Sequence, residues 1–246
     1  MLLRRLKAHV EKENWFAVFL DFCIVVVGVF IGLQVANWNE ARVEQRELAG
    51  QLNSLNAEFS ENLDRLNAFR SLLDHQINDT SILREVIAGK RPRVDINEVD
   101  KSLMNVVAIP ILTIDRTTLD ELARGGGLRR LEAPGLRELL VEWDETHDEL
   151  RRIERDAIEQ RDANVIPYLL KEVSFGAMGE QYIFAEGVMG PSHFHNKLEM
   201  FEGNRELDNL VVLRLGLISA CRIFVDELIT ETRAVIQRLE AEGLSP

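Results

Sequence analysis

The sequence predicts an all-α protein: an N-terminal transmembrane helix continuing into a bundle of long helices, with short helices and one irregular loop. Three observations predict it. The first is an alphabet dominated by Leu, Glu, Arg and Ala, with only 6 prolines and 7% aromatic residues, which favours helices over strands. The second is an apolar run between Trp15 and Trp38. The third is apolar spacing of three and four residues through three further long stretches. At 246 residues and 46% hydrophobic content, the chain can bury a real core.

The apolar run reads FAVFLDFCIVVVGVFIGLQVAN, with Asp21 as its one acid. From Trp15 to Trp38 a helix covers about 35 Å, enough to cross a hydrocarbon core with some tilt. A tryptophan at each end suits the interfacial layer. Arg4, Arg5, Lys7 and Lys12 precede the run, and only Arg42 and Arg46 follow it within a similar distance. The bias predicts a cytoplasmic tail over 1–14, an anchor over 15–38 and an exported helical domain over 39–246. A cleaved leader fits less well, because the run is long and no A-x-A-like site follows it. Phe22 and Asp21 before Cys23 do not make an acylation site, and Arg4-Arg5 is a poor twin-arginine signal ahead of so apolar a segment.

Within the span, Asp21, Gly28 and Gly32 fall on one stripe with Val25, Val35 and Asn39. A G-x-x-x-G pair lets a second helix approach closely, and Asp21 prefers a protein or aqueous neighbour to lipid. The stripe is therefore the candidate face for association with another copy or a partner helix.

The residues from Asp21 to Glu40, ending Leu33-Gln34-Val35-Ala36-Asn37-Trp38-Asn39-Glu40, resemble the N-terminal anchor of a family of uncharacterised bacterial single-span membrane proteins. In that family the anchor closes on an L-Q-x-x-N-W-N-E-like motif. This chain departs from the pattern in having Asp21 where Glu is usual and Gly32 where Ala is usual. Thr118-Leu119-Asp120-Glu121-Leu122, followed by Gly126-Gly127-Leu128, is similar to a second element of the family. The resemblance implies membrane placement and a helical domain, and no activity; together with the charge bias, the expected location is a bacterial inner membrane with the helical domain periplasmic.

Past the anchor, Leu48, Leu52, Leu55, Phe59, Leu63, Leu66, Leu73 and Ile77 predict one long helix reaching about Ala88, a stalk ended by Gly89 and Pro92. Lys90-Arg91-Pro92-Arg93 reads as a solvated basic turn. Residues 95–114 predict a short helix followed by an extended buried connector, since Pro110 interrupts any central strand. Thr117 or Thr118 is expected to cap a brief helix ending at Gly125-Gly126-Gly127, which lacks the Lys-Ser/Thr of a phosphate loop.

Pro134 opens a second long helix, with Leu136, Leu139, Leu140, Trp143, His147, Leu150 and Ile153 on its apolar side and a kink or break expected near Pro167. The glycine-rich segment 176–203 reads as an irregular loop of the kind that often carries function. A third long helix follows, its apolar side drawn from Leu207, Leu210, Val211, Leu213, Leu217, Ile218, Phe224, Leu228, Val235 and Leu239. Cys221 is expected in that core, and with only 2 cysteines there is no disulfide framework.

A net charge of −12 argues against a nucleic-acid partner. The candidate metal ligands are His193, His195 and Glu199, with Glu202 nearby, although H-x-H alone is not a diagnostic spacing. His147 is expected to be a satisfied core histidine, and charged residues such as Glu154 to lie on solvated faces. No cofactor is expected, because no dinucleotide fingerprint, Walker loop, H-E-x-x-H or G-x-S-x-G occurs. The expected role is a membrane-anchored interaction or assembly module acting with itself or a protein partner at the lipid bilayer. A ligand-sensing domain and a metal enzyme using the His193/His195 loop are the alternatives.

Overall fold

The computed structural model describes residues 15–131, 134–180 and 192–241, with the backbone alone at 15–18, 130 and 134. The expected tail over 1–14 with its basic residues, the side chain of Trp15 and the centre of the expected loop lie outside the described residues. Helices account for nearly all the regular structure, and there is no strand among the described residues. The chain is all-α.

Helix α1 runs from Trp15 to Ile87 and contributes to two compact units, residues 1–51 and 52–246. In the first unit, the side chains from Phe19 to Val35 are exposed almost throughout. This helix is long and apolar enough to cross a membrane, and none of its most apolar window is buried. A core helix of a water-soluble protein would bury that surface. At the end of the apolar run Arg42 lies over the Trp38 ring, 5.7 Å from its centroid.

The second unit starts with the remainder of α1, which ends where expected: Gly89 adopts φ +67°, a left-handed conformation that suits a residue without Cβ. Then come α2 (Ile96–Val107), α3 (Thr117–Arg124), the single turn α4 (Gly127–Arg130) and α5 (Pro134–Gln160). The short α6 (Ile166–Glu172) and α7 (Phe175–Gly179) precede α8 (Arg205–Ala241).

Three long helices form the frame. Arg70, Asp74 and Arg84 of α1 pair with Asp226, Arg222 and Asp208 of α8 at 3.4, 2.7 and 3.2 Å, in reversed order, so the two run antiparallel. Trp143 and Ala157 of α5 bond Thr232 and Arg214 of α8, again in reversed order. Between the helices lie Leu55, Phe59, Leu66, Leu140, Trp143, Leu150, Val225 and Leu228. At one end a second layer gathers Leu83, Val86, Val99, Leu103, Leu169, Met178, Phe201 and Val211.

Several expectations need correction. Of the kink or break expected near Pro167, the helix does not break: a π-helical turn over Arg161–Val165, with Ile166 N donating to Arg161 O, leads directly into α6. Pro167 lacks an N–H and its ring crowds the carbonyl four residues back, and a wider turn relieves that crowding without ending the helix. Segment 176–203 is partly regular, since α7 reaches Gly179 and a 3₁₀ turn covers Leu198–Met200. Neither Thr117 nor Thr118 caps α3. Its N-cap is Arg116, which makes no capping bond.

Two positions on the expected faces also change. Leu213 is 59% exposed, whereas Arg214 beside it is buried. Glu154, expected on a solvated face, is 3% exposed.

The connector over 108–116 forms no regular element and is only partly buried, where a buried one was expected: Leu112 is buried and Ile111 is 53% exposed. Polar side chains from the three long helices hold it. Gln76 donates to the carbonyls of Asn105 and Ala108 at 2.5 and 2.6 Å. Arg214 donates to Val106, Ala157 and Ala108 carbonyls at 2.9, 2.9 and 2.8 Å. Leu112 N donates to Glu154 at 2.9 Å, and Asn62 exchanges two bonds with the Asp115 backbone. Buried backbone without a ladder partner must find side-chain partners, which explains why polar residues occupy core positions of these helices.

Candidate functional site

A polar grouping surrounds Trp143, where the connector enters α3 beside α5. Trp143 is fully buried and donates Nε1–H to Thr232 Oγ1 at 2.9 Å. Phe59 tilts against its ring, 5.0 Å between centroids, and His147 stacks on it at 5.5 Å with planes 3° apart. Arg116 reaches over the same ring, 5.9 Å from the centroid. Its guanidinium donates to His147 Nδ1 at 2.9 Å and contacts Asp144 at 2.5 Å and Asp120 at 3.5 Å.

These contacts fix the state of the imidazole. A guanidinium only donates, so His147 Nδ1 must be an unprotonated acceptor. Burial and then the nearby Arg116 charge hold the His147 pKa below its ordinary value, in agreement with that hydrogen bond.

Asp144, His147 and Asp148 place one ligand atom each within 4.8 Å of one another, the sole such group among the described residues. A cation there would have to displace Arg116, which already neutralises Asp144 and occupies His147 Nδ1. The arrangement works as a clamp between the α3 entrance and α5, with the arginine in the position a metal would need.

The structure does not gather His193, His195 and Glu199 into an ion-holding group among the described residues; all three are exposed. The adjacent Asn196 is buried and organises this segment. It donates to Asp100 at 2.6 Å and accepts from Ser174 N at 2.8 Å. Burial raises the Asp100 carboxyl above its ordinary range, the Asn196 bond offsetting part of the shift. Ser174 also caps α7 by accepting from Ala177 N. With the Ser192 hydroxyl donating to Phe194 O, these bonds tie the chain down.

A surface cleft of about 560 Å³ opens between the end of α1 and the start of α8. Arg84, Lys90 and Arg205 line it together with Glu85 and Asp208, so the charges nearly balance. Arg84 pairs with Asp208 and Glu85 with Arg91.

Arg214, Glu58, Asn62 and Gln76 were not predicted as organising residues. A lone arginine inside the apolar run Val211–Ile218 is a signal for the first. The other three sit at apolar-face positions of α1, where only a polar residue out of phase marks them. Asp21, Gly28 and Gly32 lie on one continuous helix, and a Cβ added at either glycine would meet nothing within 4 Å. No protein-family model matches the sequence, and neither a curated protein nor a solved structure is significantly similar to it.

Proposed function

We propose that the protein is a single-pass anchored interaction module of the bacterial inner membrane, with the segment before the span cytoplasmic and the helical domain periplasmic. The observation that carries the reading is the apolar run of α1, whose most apolar window has none of its surface buried. Such surface is stable only in lipid or against another apolar surface. The basic residues at positions 4, 5, 7 and 12 support the orientation, and the Trp38–Arg42 pair suits an interfacial end of the span. Beyond the span, buried Glu58, Asn62, Gln76, Glu154 and Arg214 bond backbone groups, which supports a scaffolding role. The likeness of the anchor to the uncharacterised single-span family supports the same placement.

Reporter fusions test the orientation. A reporter active only outside the cytoplasm, fused after Pro246, is expected to be active. Activity of a cytoplasmic reporter there instead would overturn the orientation. Native complexes extracted in detergent are expected to exceed the mass of one chain plus micelle, and a strictly monomeric protein would overturn the module reading. The balanced cleft between α1 and α8 is the feature favouring a ligand-sensing role, and binding of a small solute there would promote that reading.

A further inference from the structure

The charges lining the α1–α8 cleft are not equally free. Asp208 is engaged by Arg84 through Nε at 3.2 Å, and Glu85 by Arg91 at 2.7 Å. Both acids of the lining therefore already have cationic partners. Lys90 and Arg205 have no carboxylate within ion-pair distance among the described residues, and both are exposed. Glu206, the next residue along, lies outside the lining and near Tyr168. The cleft is thus a locally positive concavity on a chain of net charge −12.

One uncompensated cation comes from each side, and the backbone fixes where they stand. Helix α1 ends at Gly89, φ +67°, and α8 is entered from Gly203, φ +69°. Gly203 N donates to Ile87 O at 2.8 Å, which joins the two turns. Lys90 therefore leaves one wall where Arg205 opens the other. Asn204 secures the second turn by accepting from Leu207 N at 3.0 Å and donating to Tyr168 Oη at 2.8 Å. Ile87, Ala88 and Leu215 add apolar surface. A volume of about 560 Å³ falls in the range of small-molecule sites.

We propose that this cleft binds a small dianion, a dicarboxylate or a phosphate, between Lys90 and Arg205. Two uncompensated positive charges are matched by two negative ones. The ammonium acts as a point charge, and the planar guanidinium can take two oxygens of either group. Concave walls concentrate the field of both cations on the bound anion. Bridging Lys90 and Arg205 ties the exit of α1 to the entrance of α8, so occupancy stabilises that junction. The inference goes beyond the interaction-module reading and does not depend on whether copies of the chain associate.

The test titrates the full chain, in non-ionic detergent and Tris–chloride buffer, with succinate and separately with inorganic phosphate. Calorimetry is expected to show saturable binding of at least one of them, one per chain, weakening as sodium chloride is raised. Binding by succinate alone identifies a dicarboxylate site, and binding by phosphate alone a phosphate site. Lys90→Gln and Arg205→Gln are each expected to weaken binding more than about tenfold, with unchanged circular dichroism. Arg93→Gln, at an exposed position outside the cleft lining, is expected to bind as the parent does. Hydrogen exchange at Gly203 N–H is expected to slow when the site is filled, and not in the Lys90→Gln/Arg205→Gln chain. Absence of saturable binding by either anion overturns the proposal, as does binding that Lys90→Gln and Arg205→Gln leave unchanged. Either result leaves the module reading in place, since that reading stands on the mass of the extracted complex.

Discussion

Arg214 is 1% exposed and has no carboxylate among its hydrogen-bond partners; its guanidinium is spread over three backbone carbonyls. Burial lowers its pKa to about 10, so it stays charged at neutral pH. The planar fork suits three divergent carbonyls as an ammonium cannot. Arg214→Met is expected to cost about 2–4 kcal/mol, because the Val106 and Ala157 carbonyls lose this donor while Gln76 still serves Ala108. Arg214→Lys should recover little of that, and urea unfolding measures both. His147 gives a prediction in pH. Its folded pKa lies below the ordinary 6.5, so just below pH 6.5 the unfolded chain binds more protons than the folded one. Stability attributable to this group is therefore present above pH 6.5 and falls on acidification. The urea midpoint should drop below that pH less steeply in His147→Phe than in the parent, and equal slopes would assign the acid sensitivity to other groups. The sequence placed His147 correctly on the apolar side of its helix. It could not show Arg116, because that contact joins residues 31 apart in the chain.

Among the elements, α3 shows how a short helix can depend on a distant residue. Its first amide, Thr117 N, donates to Asp115 at 3.0 Å, and the next two, Thr118 N and Leu119 N, donate to the Glu58 carboxylate of α1 at 2.6 and 3.3 Å. The Thr117 hydroxyl is occupied in donating to Asp115 at 2.8 Å. A carboxylate at a helix N-terminus satisfies orphan donors and complements the dipole. Glu58→Ala is expected to destabilise the unit by about 1–2 kcal/mol, with faster hydrogen exchange at Thr118 and Leu119. Thr117→Val should change little, and the opposite ranking would restore the local cap that the sequence suggested. The long helices were legible because their apolar residues repeat at helical spacing and because Gly89 and Pro134 mark ends. The α3 cap, the π turn before Pro167 and the buried Glu154 were not legible. Each depends on a contact across the fold or on a backbone adjustment that local spacing does not encode.

At the scale of the whole molecule, the exposed apolar surface is concentrated on α1 between Phe19 and Val35, and lipid is the solvent that suits it. Lipid supplies no hydrophobic drive between helices, so pairing of two such spans must come from close packing and from hydrogen bonds across the contact. Gly28 and Gly32 are one turn apart, with open space where side chains would stand. Together they form a shallow groove into which a second helix can settle. Asp21 lies on the same stripe, where its carboxylate can accept a hydrogen bond from the other helix. Isoleucine at both glycine positions fills the groove while preserving length and apolar character, so insertion should be unchanged. Gly28→Ile/Gly32→Ile is therefore expected to reduce energy transfer between labelled copies of the span in a bilayer. Asp21→Ala is expected to produce a smaller loss if the carboxylate bridges the pair. Equal transfer in the parent and the double glycine variant would show that these residues do not mediate pairing of the span.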